Sequence, residues 1–200
     1  MSKTRLIFAT GNQGKVNELK QMLGDEYEIL SMKDIGVDID IEENGTSFEE
    51  NAVIKAKAVM EVTGEMALAD DSGFEVDALN GEPGIYSARY MGEDTPYSVK
   101  NAELIRRCEG VPDEKRGARF VCVIACAYPD GTVDTAKGVI EGRLAHEPAG
   151  ENGFGYDPIF YLPERGCTTG ELEPEEKNKI SHRGLAIAKM VEILKKRGTV

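Results

Sequence analysis

The sequence predicts an α/β fold on a mixed sheet, and three stretches carry that expectation. Residues 5–10 form a short apolar run that passes through a glycine turn into Val16, Leu19, Met22 and Leu23 at helical spacing. Residues 118–128 and 132–144 are β-rich and are joined by Pro129-Asp130-Gly131, a hairpin signal that brings antiparallel strands into the sheet. Near the end, Leu185, Ile187, Ala188, Val191 and Leu194 recur as the apolar stripe of a helix. The 200 residues form one domain, 1–200, long enough to bury a substantial core.

The elements follow in order. Residues 5–10 read as a buried strand, and the helix after them runs up to Gly24. A second helix spans about 48–62: Ser47 with Glu50 three residues on is a capping-box pattern, and Gly64 stops it. Its core face comprises Ala52, Val53, Ala56, Val59 and Met60. Residues 66–70 form a strand whose end carries Asp70 and Asp71, with Ser72-Gly73 turning the chain sharply after them. Glu82-Pro83-Gly84 is turn chemistry, while Thr95-Pro96 reads as an N-cap and first-turn proline of a helix reaching about Cys108. A short helix near 174–179 precedes a longer one opened by Ser181. The chain shows no internal repeat, low-complexity segment or long linker.

Composition narrows the function. With 24 basic and 36 acidic residues the net charge is −12, a field that repels polyanions and argues against nucleic acid or an anionic membrane as partner. A small anion is still compatible where local cations and a divalent metal reverse that field. The apolar run before Thr10 is too short for a signal-peptide core, and no stretch reaches the roughly 18 apolar residues of a membrane span, so a cytoplasmic protein is expected. The four cysteines include no CxxC pair, and His146 and His182 are the only histidines, so no zinc site is expected; Cys122 and Cys126 read as buried thiols on one face of a strand.

Three segments carry chemistry. Thr10, Gly11, Asn12, Gln13, Gly14 and Lys15 lie where a strand hands over to a helix, so free amides and the helix dipole can face a phosphate and Lys15 adds a mobile charge. This is not a Walker A loop, since only two residues separate Gly11 from Gly14 and Val16 stands where a magnesium-touching hydroxyl would be. Asp70 and Asp71, as strand neighbours, point to opposite faces and should do different jobs; Glu42 and Glu43 supply further carboxylates for a magnesium site. Phe154 between Gly153 and Gly155 offers a ring for a planar base, with Asp157 positioned in sequence to orient a polar edge. Ser181 as N-cap leaves His182 and Arg183 in the first helical turn, the wrong end for cations if stability were their purpose. Such donors suit a purine 6-oxo group and disfavour a 6-amino group.

Taken together, FATGNQGK (8–15), TSFEENAVIKAKA (46–58), LADDSGFEVDALNGEPGIYSARY (68–90), GENGFGYDPIF (150–160) and ELEPEEKNKISHRGLAIAK (171–189) resemble, in order, the motifs of the inosine triphosphate pyrophosphatase family. The resemblance covers nearly the whole chain. It implies a long mixed sheet flanked by helices and divided into two lobes around a central active-site cleft. It also implies a magnesium-dependent, homodimeric enzyme that cleaves ITP, dITP or XTP to the monophosphate and pyrophosphate, cleansing the nucleotide pool. By motif position, Thr10 to Lys15 contact the triphosphate, Asp71 is base and metal partner, Glu42 is a second metal carboxylate, and Ser72 touches substrate. Phe154, Gly155, Tyr156, Asp157, Lys177, His182 and Arg183 form the base and phosphate pocket. Water would attack the α-phosphorus, with Lys15 drawing charge toward the leaving group.

Two rivals stay open at this point. A related pyrophosphatase acting on pyrimidine or methylated nucleotides would have less need of His182-Arg183, and nucleotide preference separates it. A nucleotide-sensing module would bind without turnover, and the acidic cluster argues against it.

Overall fold

Short apolar runs and helical stripes alternate along the chain, and the computed structural model, which describes residues 3–23 and 26–198, turns them into seven strands and five α-helices among the described residues. In order these are β1 (Thr4–Phe8), α1 (Gln13–Leu23), β2 (Tyr27–Ser31), α2 (Phe48–Thr63), β3 (Ala67–Val76) and α3 (Tyr97–Arg107). There follow β4 (Gly117–Ala127), β5 (Val133–Leu144), β6 (Phe160–Leu162), β7 (Cys167–Thr168), α4 (Pro174–Ile180) and α5 (His182–Arg197). The sheet order is β2-β1-β3-β4-β5-β6-β7, with β1 parallel to β2 and β3, and β6 antiparallel to β5 and β7. This is the mixed α/β sheet that the sequence predicts.

The chain divides into two compact units. The first holds the described residues up to Asp71, residues 122–138 and the stretch from Leu185 on; the second holds 72–121 and 139–184. In the first unit, Leu6, Ile7 and Phe8 of β1 are all buried, as expected of a parallel strand covered on both faces. Around them pack Val16, Leu19 and Leu23 of α1, Ile29, Leu68, Cys122, Ile124, and Ile187, Met190 and Leu194 of α5. Parallel strands need crossovers: α1 connects β1 to its neighbour β2, and α2 carries the chain from β2 across to β3 on the other side of β1. Because β2 and β3 lie on opposite sides of β1, the connections diverge at the end of β1, where α/β sheets place ligands. The second unit packs an aromatic core in which Phe74 lies 5.0 Å from Phe120 and stacks at 5.3 Å on Tyr156, and Phe120 meets Phe160 edge-on at 4.8 Å.

Local chemistry explains the boundaries. Ser47 caps α2 by accepting from the Glu50 amide at 3.2 Å, and Gly64 ends the helix in the left-handed region at φ 67°. Glu50 reaches one residue further back than a capping box requires, accepting from the amide and hydroxyl of Thr46. At the β4–β5 turn Asp130 accepts from the amide and hydroxyl of Thr132, and Gly131 sits at φ 84°. Cys122 and Cys126 are buried thiols outside any disulfide, and burial pushes Cys126 up to about 12.

Several expectations shift. Strand β3 does not end at Asp70 but runs on through Asp71-Ser72-Gly73 to Val76, so the acidic pair lies mid-strand. Helix α3 starts one residue later than Thr95-Pro96 suggests: the Thr95 hydroxyl donates to the Met91 carbonyl, and Pro96 takes the cap position. Met22 is exposed, and Val53 and Met60 are half-buried. In α5 the buried stripe is Ala186, Ile187, Met190 and Leu194, while Leu185 and Ala188 face out. Two residues from Ile187, Leu185 lies about 160° round the helix from the core. The short strands β2, β6 and β7 carry too few residues for a clear period. The expected end of α1 at Gly24 lies outside the described residues.

Gly142 marks a close backbone approach in the second core. A Cβ there would lie 2.5 Å from the Tyr161 carbonyl oxygen and 2.6 Å from the Phe160 ring. Gly142→Ala should therefore destabilise the protein by about 1–3 kcal/mol through overpacking, read as a lower midpoint in urea unfolding; an unchanged midpoint would refute this packing account.

Candidate active site

The first unit contributes a strand-to-helix turn beside buried carboxylates. After β1, the Thr10 hydroxyl accepts from the Asn12 amide at 3.1 Å, and the Asn12 side chain caps α1 by accepting from the Lys15 amide at 3.3 Å. Gly11, Asn12, Gln13 and Gly14 are exposed, and the amides of Gly11, Gln13 and Gly14 have no acceptor among the described residues. Together with the dipole of α1 they form an anion cradle. A groove of about 420 Å³ opens beside it, lined by Thr10, Gly11 and Gln13 and also by Ser31 and Lys33, residues without a signal in the sequence.

Lys15 is not a mobile charge here. Its Nζ contacts both carboxylate oxygens of Asp70, at 3.0 and 2.9 Å, because a carboxylate buried on β3 demands a cation. Asp71 takes a different partner, as strand neighbours on opposite faces should: its Oδ1 lies 3.3 Å from Lys55 of α2, and the same ammonium lies 3.2 Å from Glu43. Burial opposes the charge on Lys55, yet Asp71, Asp70 and Glu43 together leave its pKa raised. Asp71 is also raised, first by burial and then by Glu43, against the lowering effect of Lys55 and the nearby Asn51 amide. Its Oδ2 is buried and makes no hydrogen bond, as is true of the Asn51 Nδ2.

Of the two candidate glutamates, the structure brings Glu43 to the Lys55–Asp71 cluster and leaves Glu42 exposed. Asn51 fixes the loop carrying Glu43 by accepting from the Gly45 amide at 2.9 Å, where any Cβ would lie 2.6 Å from the Asn51 oxygen. Neither Lys55 nor Asn51 stands out in the sequence. The available signal is that these polar residues sit four apart on α2 beside the buried Ala52, Ala56 and Val59. An unanswered buried carboxylate oxygen beside a second carboxylate is a donor set suited to a hard divalent cation.

In the second unit an aromatic ring and two cationic side chains come together. Gly153 and Gly155 adopt φ 77° and 68°, and a Cβ on Gly153 would overlap the Asp157 carboxylate. That turn presents Phe154 with 45% exposure, the Lys177 ammonium 5.0 Å and the Arg183 guanidinium 5.8 Å from its ring centre. Lys177 is buried although its neighbours Glu175, Glu176 and Lys179 are solvated. The Ser181 hydroxyl accepts from the Gly184 amide at 3.0 Å, holding the first turn of α5, and Gly184 leaves no room for a side chain against the Asn178 carbonyl. His182 stacks on Phe120 at 4.8 Å, and Arg183 donates to the Ser72 hydroxyl at 3.4 Å.

Two residues of the expected base pocket have other tasks. Asp157 does not present an oxygen to a ligand: Oδ2 accepts from the Phe154 amide at 2.8 Å and from Lys177 at 2.6 Å, and Oδ1 from the Thr169 hydroxyl at 2.9 Å. It shapes the turn and aims Lys177. Tyr156 is buried, with its hydroxyl donating to the Ser87 carbonyl at 2.7 Å.

Asp71 yields a stability prediction. Its ionised form is harder to hold in the folded protein than in the unfolded chain, so stability falls as pH rises from the ordinary value of 3.8 through the raised one. Asp71→Asn keeps the shape of the protonated acid and removes that loss. At pH 7 with chelator present, thermal unfolding of the variant should occur at or above the wild-type Tm; a Tm several degrees lower would contradict the burial argument.

Comparison with known proteins places this geometry. The dITP/XTP pyrophosphatase of Desulforamulus reducens is 51% identical over 191 residues, covering 95% of each chain, and that of Bacillus subtilis is 45% identical over 189 residues, covering 94% and 96%. Among solved structures, the Ham1 protein of Staphylococcus aureus superposes with a TM-score of 0.89 at 42% identity over 97% of this chain and 100% of its own. The nucleoside-triphosphatase / dITP/XTP pyrophosphatase of Mycobacterium abscessus gives 0.78 at 41% identity over 94% and 98%. Residues 6–193 match the Ham1 family profile, and the chain belongs to the Ham1 family.

Proposed function

We propose that this chain hydrolyses non-standard purine nucleoside triphosphates, ITP, dITP and XTP, to the monophosphate and pyrophosphate, removing them from the cytoplasmic nucleotide pool. The observation that carries this reading is the exposed Phe154 ring flanked by Lys177 and Arg183, in a chain whose relatives at 45–51% identity are dITP/XTP pyrophosphatases. The ring offers a stacking face and the cations offer donors. His182 and Arg183 suit the 6-oxo group of hypoxanthine or xanthine, the 6-amino group of adenine would meet donors with a donor, and guanine is rejected by crowding or leaving unsatisfied its 2-amino group.

The phosphate end is assigned to Thr10 through Lys15, with Ser72 touching substrate. Water attacks the α-phosphorus, the bond to the β-phosphate oxygen breaks, and pyrophosphate leaves. Asp71 takes the proton of the attacking water; burial raises its pKa toward the range useful to a general base. Lys15 and Lys55 offset charge as it develops on the phosphates. We assign magnesium to Asp71 and to Glu43 rather than Glu42, because Glu43 shares Lys55 with Asp71. When bound, the metal would draw charge from the phosphate oxygens and so ease departure of pyrophosphate. A homodimer is proposed on the family resemblance. Among the described residues no helix is long and apolar enough to cross a membrane.

The direct test is product analysis with magnesium and, separately, ITP, XTP, GTP, ATP and dTTP. Monophosphate and pyrophosphate should form from ITP and XTP, with GTP and ATP largely spared and Asp71→Asn nearly inactive. Orthophosphate would move the attack to the γ-phosphorus, efficient GTP cleavage would overturn the base selectivity, and binding without turnover would favour a sensor. Stacking contributes about 1–3 kcal/mol per base, so Phe154→Ala should raise KM for ITP roughly tenfold to a hundredfold. An unchanged KM would remove the ring from base binding.

A further inference from the structure

Helix α3 fastens the turn over residues 153–157 from behind. Asn101 on that helix is 3% exposed and donates through Nδ2 to the Gly155 carbonyl at 3.1 Å. Its Oδ1 is also buried and makes no hydrogen bond among the described residues. An amide with an unanswered oxygen costs free energy that a leucine of similar size would not. What the polar residue supplies in return is its bond to Gly155.

Gly155 has reason to need it. It sits at φ 68° with no side chain of its own, next to Phe154, whose ring is 45% exposed. The same face of α3 adds support: Tyr97 packs edge-on against Tyr156 at 5.2 Å, and buried Lys100 donates to the Ala88 carbonyl at 2.6 Å. Fixing the Gly155 carbonyl fixes the Gly155–Tyr156 peptide, one residue beyond Phe154, and so restrains the turn from which the ring projects.

We infer that Asn101 is a positioning residue that, through Gly155, holds the Phe154 ring in the orientation against which a purine stacks, and so sets base affinity rather than the rate of bond cleavage. The inference rests on the nucleotide reading given above. Asn101 acts on the turn that carries the base-stacking ring, so its loss should appear in KM and not in kcat.

The test uses Asn101→Leu, which cannot donate to the carbonyl, and the isosteric Asn101→Asp, which cannot donate when ionised and is assayed at about pH 8, so that one remains should the other fail to fold. Steady-state kinetics with ITP should give a KM raised about tenfold or more with kcat within about twofold. The chain contains no tryptophan, so Phe154→Trp introduces a single indole at the ring position. In that background iodide quenching of the indole should rise when Asn101 is replaced. A KM within twofold of wild type, a fall in kcat at constant KM, or quenching unmoved by either replacement would overturn the inference. Should the parent protein fail to cleave ITP, the proposed function falls, and the quenching comparison still decides whether Asn101 holds the ring.

Discussion

Two carboxylates buried on adjacent residues of β3 impose the strongest constraint on the first unit. A buried charge has to be answered, and the answers come from different helices: Lys15 of α1 for Asp70, and Lys55 of α2 for Asp71. Those pairs tie both crossovers to the strand between them. Asp70 is satisfied through both oxygens, whereas Asp71 keeps one oxygen unanswered and a raised pKa. One carboxylate is thereby fully paired, and the other keeps an oxygen without a hydrogen bond among the described residues. Stability given up at Asp71 is what a site gives up when its ligand is absent.

Asp157 plays the corresponding part in the second unit. Its carboxylate gathers the Phe154 amide, the Lys177 ammonium and the Thr169 hydroxyl, so the turn, α4 and the 3-10 turn at Thr169–Glu171 meet at one group. The glycines on either side of Phe154 follow from this geometry, since a side chain at Gly153 would displace the carboxylate. Lys177, carried on a short helix otherwise lined with solvated charges, is buried because Asp157 holds it. Both units therefore place their functional cations by pairing them with buried acids, a costly arrangement where stability alone is concerned and a useful one where a cation must be held at a fixed place.

Much of the fold was legible because its signals are local. The β4–β5 turn depends on Asp130 and Gly131, and α2 depends on Ser47 and Gly64; each acts on its immediate neighbours. Errors arose where a local pattern had more than one solution. Thr95 resembles a cap but spends its hydroxyl on Met91, and Leu185 belongs to an apolar run but points away from the core. The acidic pair suggested the end of a strand because charges favour edges, yet ion pairing to Lys15 and Lys55 lets β3 continue through it.

The site divides along the same line. Motif order alone singles out Thr10 to Lys15, Asp71, Phe154, Lys177, His182 and Arg183 as candidates, because glycine turns, helix caps and adjacent carboxylates are written in consecutive residues. Folding was needed to select Glu43 over Glu42 as the neighbour of Asp71, to turn Asp157 inward, and to bring Lys55, Asn51 and Asn101 to their partners. Each of those choices is a hydrogen bond or ion pair in a low-dielectric interior between side chains on different elements. Such energies depend on distance and burial, which no spacing along the chain encodes.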